Sequence, residues 1–391
     1  MKENSDSFDA IWNFFSPNRV MFGPGAASQT GAIVRMLGGE KVLIITSPVI
    51  SKMGLVKGVD ESLRSEKIKT EIYDREDCEP TVRMIEECGA YVRRKRFDLL
   101  VGVGGGSIID LTKMVSILAT HGGKILDYEG LDKVPGKGLP KIFIPTTAGA
   151  GAEVTRMAGA TDESNTKRDV SSTFNLADVV ILDPLLTLSL PKRLTAEIGI
   201  DGLSHAIEAY VALGATPFSE ITALEAIRLI HEHLPAAYAQ GDDQKARAGM
   251  QLASALSGLA LGAGKLGAAH GLAFAVEAVS NLPHAKCIGI MLPHAMEANL
   301  NGSPKKFADI ARVMGESTEG LSPLDAAGKS VTAVKRLLKN LDISIRLSDY
   351  GIHQEKLSDL VKYALRLSWW FETNPKRLDK EEIKAIFAKA F

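Results

Sequence analysis

Three cysteines in 391 residues are too few for a disulfide framework. Cys78, Cys88 and Cys287 include no CxxC pair, so thiolate zinc sites are excluded with them, and a reducing cytoplasm is the expected setting. Charge of one sign is also lacking, because 46 Lys and Arg face 47 Asp and Glu for a formal net charge of −1. A nucleic-acid partner needs a clustered basic face. The densest basic run, residues 93–96, instead reads as cations at a helix C-terminus. Long hydrophobic runs are missing as well. The most apolar window, residues 252–279, is broken by Gly258, Gly262, Gly264, Lys265, Gly267, His270, Gly271 and Glu277, whereas a membrane span needs about 20 uninterrupted apolar residues. It reads as buried helices packed through small residues, with no membrane as partner. Residues 1–15 lack the basic start and apolar core of a signal peptide.

What is present falls into two halves. Residues 20–22 suggest an edge strand closed by the Gly23-Pro24-Gly25 turn. Residues 41–46, 68–73, 97–103, 141–145 and 179–183 are compact apolar runs separated by helical segments, and Pro80 is placed to open one of those helices. Continuous apolar strands alternating with helices imply a parallel sheet covered on both faces. Beyond Pro191 the strand-like runs stop, and residues 193–212, 219–239, 245–261, 285–300, 304–314, 322–341 and 380–390 all show helical spacing. The expected organisation is an α/β domain over residues 1–187 and an all-α domain over 188–391.

The third apolar run leads straight into Gly104-Gly105-Gly106-Ser107, and a helix is expected from Ile108. A strand, a glycine-rich turn and a helix N-terminus form an anion site suited to a cofactor pyrophosphate. Ser107 stands where a dinucleotide fingerprint would have its last glycine. A tight turn needing positive φ would explain one or two of the glycines. Asp110 and Lys113 on that helix also fit a solvated i,i+3 pair. After the fourth run comes PTTAGAGAEVT, residues 145–155, with small residues and hydroxyls at a strand's carboxyl end, where α/β sheets bind ligands.

The second half holds Asp201 and His205 four residues apart, then His270 and His284. The first two project from one helix face. One carboxylate and three imidazoles suit Fe(II) or Zn(II) better than calcium or a thiophilic metal. Spacing alone leaves open the ordinary alternative, a core histidine hydrogen-bonded to a neighbour.

Taken in order, FGPGA at residues 22–26, GGGSIID at 104–110, PTTAGAGAEVT at 145–155, Asp183-Pro184, DGLSHAIEAY from Asp201, AAHG ending at Gly271, PHAKCIGIMLPH from Pro283 and Asn374-Pro375-Lys376 resemble the iron-containing (group III) alcohol dehydrogenases over nearly the whole chain. The resemblance implies an α/β dinucleotide-binding domain, an all-α domain and a divalent metal in the cleft between them. Its metal ligands would be Asp201, His205, His270 and His284. Gly104, Gly105, Gly106 and Ser107 would hold cofactor phosphates, with Asp110, Thr146, Thr147 and Thr155 nearby. His121, His231, His233, His294 and His353 match no ligand position. The implied protein is a homodimer that transfers a hydride between a small alcohol or aldehyde and NAD(P)(H).

Three departures sharpen that expectation. Phe274 stands where relatives often carry a second histidine, which predicts a more apolar substrate pocket. Ser47 stands where NAD-preferring relatives carry Asp, so the group that repels a 2′-phosphate is missing and NADP(H) should be tolerated or preferred. Ala150 and Ala152 replace a Thr and a Ser, removing two hydroxyls from the nucleotide loop. The competing readings are an enzyme resembling dehydroquinate synthase, a glycerol-dehydrogenase-like enzyme and a catalytically silent nucleotide-binding protein. The first would need several cations around its substrate, and the ligand-bearing segments offer only Lys265 and Lys286.

Overall fold

The computed structural model describes residues 11–75, 79–164 and 166–391. These form two compact units, one spanning Phe15–Ser189 and the other Leu190–Phe391 together with the described residues before Phe15. Cys78 lies outside the described residues. Cys88 and Cys287 are buried.

In the first unit the order is β1 (Val20–Phe22), α1 (Thr30–Met36), β2 (Lys41–Ile45), α2 (Pro48–Lys52), α3 (Lys57–Ser65), β3 (Lys69–Tyr73), α4 (Val82–Lys95), β4 (Leu99–Gly104), α5 (Gly106–His121), β5 (Gly130–Leu131), β6 (Lys141–Pro145), β7 (Met157–Thr161), β8 (Lys167–Ser171) and β9 (Val179–Leu182). Six strands form a sheet in the order β1-β9-β6-β4-β2-β3, and every pairing in it is parallel. Alternation of side chains supplies both faces. Val42 and Ile44 join a core with Val59 and Leu63, while Leu43 and Ile45 join another with Ile85 and Val115. The strand order reverses between β2 and β4, and the carboxyl ends flanking such a switch point are where open α/β sheets bind ligands.

The second sheet, β5-β8-β7, was not anticipated from sequence. MAGAT and KRDVS contain no apolar run to mark them as strands. The same strands correct the start of α4. Thr161 donates its N–H to Pro80 O at 2.9 Å, which keeps Pro80 extended. Thr81 then caps the helix by accepting from the Met84 N–H at 3.2 Å, so α4 begins at Val82 and not at the proline.

The second unit is helical: α6 (Lys192–Val211), α7 (Pro217–Ala239), α8 (Gln244–Ala263), α9 (Ala268–Ser280), α10 (His284–Asn299), α11 (Pro304–Val313), α12 (Pro323–Asn340), α13 (Leu357–Arg366) and α14 (Lys380–Lys389). Among the described residues no single helix is long and apolar enough to cross a membrane. Helices α8 and α9 pass that test only as a pair bent by 101°. The bend is built from glycine, since a Cβ on Gly264 would meet Ala209 at 2.9 Å. Helix α6 is enclosed by α7, α8 and α10 and buried along most of its length. Its polar side chains therefore need partners from within the protein.

Candidate metal centre and cofactor turn

Three helices bring the acidic and imidazole groups together. Asp201, His205 and Glu208 lie at i, i+4 and i+7 on α6, one stripe of one face. His270 sits in the first turn of α9, and His284 is the first residue of α10. Around a single oxygen, Asp201 Oδ1, stand three imidazole nitrogens: His205 Nε2 at 3.9 Å, His270 Nε2 at 3.8 Å and His284 Nε2 at 4.0 Å. Asp201, His270 and His284 each offer a ligand atom within 4.8 Å of the others. The His205 ring stacks on His270, 4.8 Å between centroids.

The polar atoms in this cluster are not satisfied by protein. Asp201 Oδ1 and His270 Nε2 are buried without a hydrogen-bond partner, 3.8 Å apart, an expensive omission that a cation between them would remedy; His205 Nδ1 is also unpartnered, but the nitrogen that faces Asp201 is Nε2. Burial pushes the Asp201 carboxyl up, but the imidazoles of His205, His284 and His270 outweigh it and hold the carboxyl below its ordinary value. Burial, reinforced by His205 and His284 and opposed by Asp201, drives His270 well below the usual imidazole range. The core-histidine alternative fails for His270 Nε2, which faces a carboxylate beyond hydrogen-bond distance. Carboxylates meet the far sides of two rings. Glu208 Oε2 lies 2.5 Å from His270 Nδ1, and Glu277 Oε2 lies 3.1 Å from His284 Nδ1.

Phe274, one turn beyond His270, stacks on His284 at 4.7 Å and lies 5.3 Å from Trp370. Both aromatics are half-buried, so an apolar wall adjoins the imidazole cluster. His121, His231, His233, His294 and His353 are not part of the cluster; His294, for example, contacts Ile345 O at 2.9 Å through Nε2.

In the α/β unit, Ser47, the Gly104–Ser107 turn and Thr146-Thr147 follow the adjacent strands β2, β4 and β6. Positive φ does not account for the glycines, since Gly104, Gly105 and Gly106 all lack it. Packing explains Gly104, where a Cβ would lie 2.7 Å from Ile108 Cγ1. At exposed Gly106 the nearest atom would be Ala152 Cβ at 3.7 Å, which leaves open space over an α5 N-terminus that no side chain caps. Thr146 is buried with its Oγ1 unpartnered. These features fit an anionic group seated on the turn.

Asp110 and Lys113 do not form a solvated pair. The Lys113 side chain is wholly buried and its Nζ reaches Asp110 Oδ1 at 3.1 Å, Ala152 O at 2.8 Å, Thr155 Oγ1 at 3.3 Å and Met157 O at 2.6 Å. Asp110 Oδ2 accepts from Gly159 N–H at 3.0 Å. Both Asp110 and Thr155 are thus engaged in tying α5 to the β7 segment. Ser47 accepts from Ile50 N–H at 3.4 Å as the N-cap of α2.

Glu208, Glu277, Trp370 and Asn374 are the neighbours of the site that the sequence reading left unassigned. Glu208 was findable, three residues after His205 on the same face, and Asn374 belonged to a motif already noticed. Glu277 and Trp370 carried no local signal.

The profile described as iron-containing alcohol dehydrogenase matches residues 17–184, and the one described as the C-terminal part of the Fe-containing alcohol dehydrogenase family matches residues 195–391. Long-chain-alcohol dehydrogenase 1 of Geobacillus thermodenitrificans is 37% identical over 95% of this chain and 96% of its own length. The NAD-dependent methanol dehydrogenase of Bacillus methanolicus is 35% identical over 97% of this chain and 99% of its own. The crystal structure of a 1,3-propanediol oxidoreductase superposes with a TM-score of 0.94 at 37% identity, covering 98% of this chain and all of that one.

Proposed function

Because the chain belongs to the iron-containing alcohol dehydrogenase family and is an alcohol or aldehyde oxidoreductase, we propose that it interconverts a small alcohol and its aldehyde with NAD(P)(H), using a divalent metal held by Asp201, His205, His270 and His284. The observation that carries the metal assignment is the set of Nε2 atoms around Asp201 Oδ1, with that oxygen and His270 Nε2 buried and unpartnered. Three nitrogens and one oxygen suit Fe(II), and Zn(II) nearly as well. When bound, such an ion supplies Lewis acidity toward the substrate oxygen.

The protein's own groups do the rest. Asp201 offsets part of the ion's charge, and neutral imidazoles leave the remainder directed at substrate. Phe274 and Trp370 keep one side of the site apolar. A phenyl ring exchanges no proton, so Phe274 cannot serve as the proton relay that a histidine at that position could provide. The Gly104–Ser107 turn offers N–H groups to a pyrophosphate, and Thr146 and Thr147 lie beside it. Ser47 presents a hydroxyl already used as a helix cap and no negative charge, which supports acceptance of NADP(H) alongside NAD(H). The same reading takes the protein to be a cytoplasmic homodimer.

The relatives are named for substrates from methanol to long-chain alcohols, so substrate length is a matter for assay. Anaerobic purification with metal analysis, then an aldehyde and alcohol panel with both cofactors, tests the proposal. Stoichiometric metal and metal-dependent oxidation of NADPH as well as NADH are expected. A strong NADH preference in kcat/KM would overturn the cofactor assignment, and turnover unchanged by metal removal would overturn the metal.

A further inference from the structure

Helix α9 carries His270 in its first turn, yet its N-terminus has no cap of its own: Gly267 precedes it and offers no side chain. Its first N–H groups are taken up by two residues distant in sequence. Asn374 Oδ1 accepts from Ala268 N–H at 3.1 Å, and Glu208 Oε1 accepts from Ala269 N–H at 2.6 Å. The other oxygen of Glu208 faces His270 Nδ1. Glycine is required at 267 for this arrangement, because a Cβ there would lie 2.9 Å from Asn374 Oδ1 and 3.2 Å from Glu208 Oε1. Asn374 is itself held by reciprocal amide hydrogen bonds with Asn299, at 2.8 and 2.7 Å.

We infer that Glu208 is a positioning residue for the metal site: it fixes the tautomer and orientation of His270 while locking the helix that bears it to α6, the helix that bears Asp201 and His205. The inference rests on the metal reading above. Its basis is a count of acceptors. With Glu208 ionised, the backbone N–H of Ala269 donates to one carboxylate oxygen and the other, 2.5 Å from Nδ1, takes an Nδ1–H. That places the imidazole proton on Nδ1 and leaves the Nε2 lone pair facing the cluster, the arrangement a metal ligand needs. An amide cannot replace the carboxylate. If its oxygen accepts from Ala269, its NH₂ faces Nδ1 and forces the proton onto Nε2; if its oxygen accepts from Nδ1, its NH₂ confronts the Ala269 N–H. Asn374 caps the same helix but touches no ligand, which makes it the control for capping alone.

The test measures metal affinity by competition with a chromophoric chelator for Zn(II), alongside the melting temperature of the metal-free protein. Glu208→Gln should weaken Zn(II) binding by about 10- to 100-fold and alter the visible spectrum of the Co(II)-loaded protein. Glu208→Asp, which still accepts on both oxygens, should recover part of that loss. Asn374→Ala should lower the metal-free melting temperature with a smaller loss of affinity. In parallel, ¹⁵N NMR of metal-free wild type with labelled histidine should show the His270 proton on Nδ1. Binding by Glu208→Gln within about twofold of a metal-binding wild type, losses of affinity that merely track losses of metal-free stability in both variants, or a His270 proton on Nε2 would each overturn the inference. A wild type that takes up no metal would overturn the metal reading, and this inference with it.

Discussion

Two buried ionisable clusters sit in this protein, and they differ in how completely the protein satisfies them. In the pair of Lys113 and Asp110 both side chains are used: the ammonium meets four acceptors, and the second oxygen of Asp110 takes a backbone N–H. Around Asp201 the reverse holds, with one carboxylate oxygen and two ring nitrogens buried and unpartnered. The first cluster is complete without a ligand and reads as a structural tie. The second is the one that the proposed cation would complete at Asp201 Oδ1 and His270 Nε2, since native folds rarely leave such buried atoms without compensation. Charge and burial alone would have graded the two alike; saturation separates them.

Substitutions should divide along the same line. The largest expected effect is at the unsaturated cluster. Asp201→Asn should abolish metal retention and lower kcat/KM by roughly 10³-fold or more. Added metal at about 100 times its Kd should stabilise wild type by about 2.7 kcal/mol and leave the variant unmoved, read by thermal unfolding with and without chelator. Equal stabilisation of both would erase the contrast.

At the saturated cluster, Lys113→Met removes one partner of a buried pair and leaves carbonyls without a donor. It should cost about 3 to 4 kcal/mol in urea unfolding with metal affinity unchanged. A selective loss of metal binding would show that the tie is not merely structural.

The smallest effect sharpens the comparison through pH. Burial pushes the Glu153 carboxyl up to about 7, with Lys113 pulling the other way, and Glu153 Oε1 is unpartnered. Since the folded value lies above the ordinary one near 4.5, the native state binds more protons than the unfolded state between those limits. The Glu153 contribution to wild-type stability should therefore fall as pH rises from about 4.5 to 7 and level off above. Glu153→Gln lacks that slope. It should exceed wild type by roughly 3 kcal/mol above pH 7, with the difference vanishing toward pH 4.5, measured as unfolding free energy across that range. A difference independent of pH would show that Glu153 stays ionised.

Much of the fold was legible because its signals are local. Apolar runs such as KVLII and KIFIP announce strands buried on both faces, and the loss of such runs after Pro191 announces the helical unit. The small β5-β8-β7 sheet escaped because its strands are short and built mostly of small or polar residues, and are defined only by pairing. The N-terminus of α4 escaped because Pro80 is held extended by β7, a contact that no local rule encodes. At the site, His205 and Glu208 share a helix face and could be read together. Glu277 meets His284 only because α9 and α10 turn against each other, and Trp370 reaches Phe274 from a segment almost a hundred residues away.

By itself the sequence determined which residue types were available and roughly where each helix and strand runs, since those depend on neighbours within a turn or two. Only the tertiary structure decided which polar atoms would be saturated and which left waiting. The reason is physical: hydrogen-bond satisfaction is settled by whatever side chains arrive from distant segments. The same carboxyl chemistry ends as a finished tie at Asp110 and as an unpartnered oxygen at Asp201 according to what packs around it.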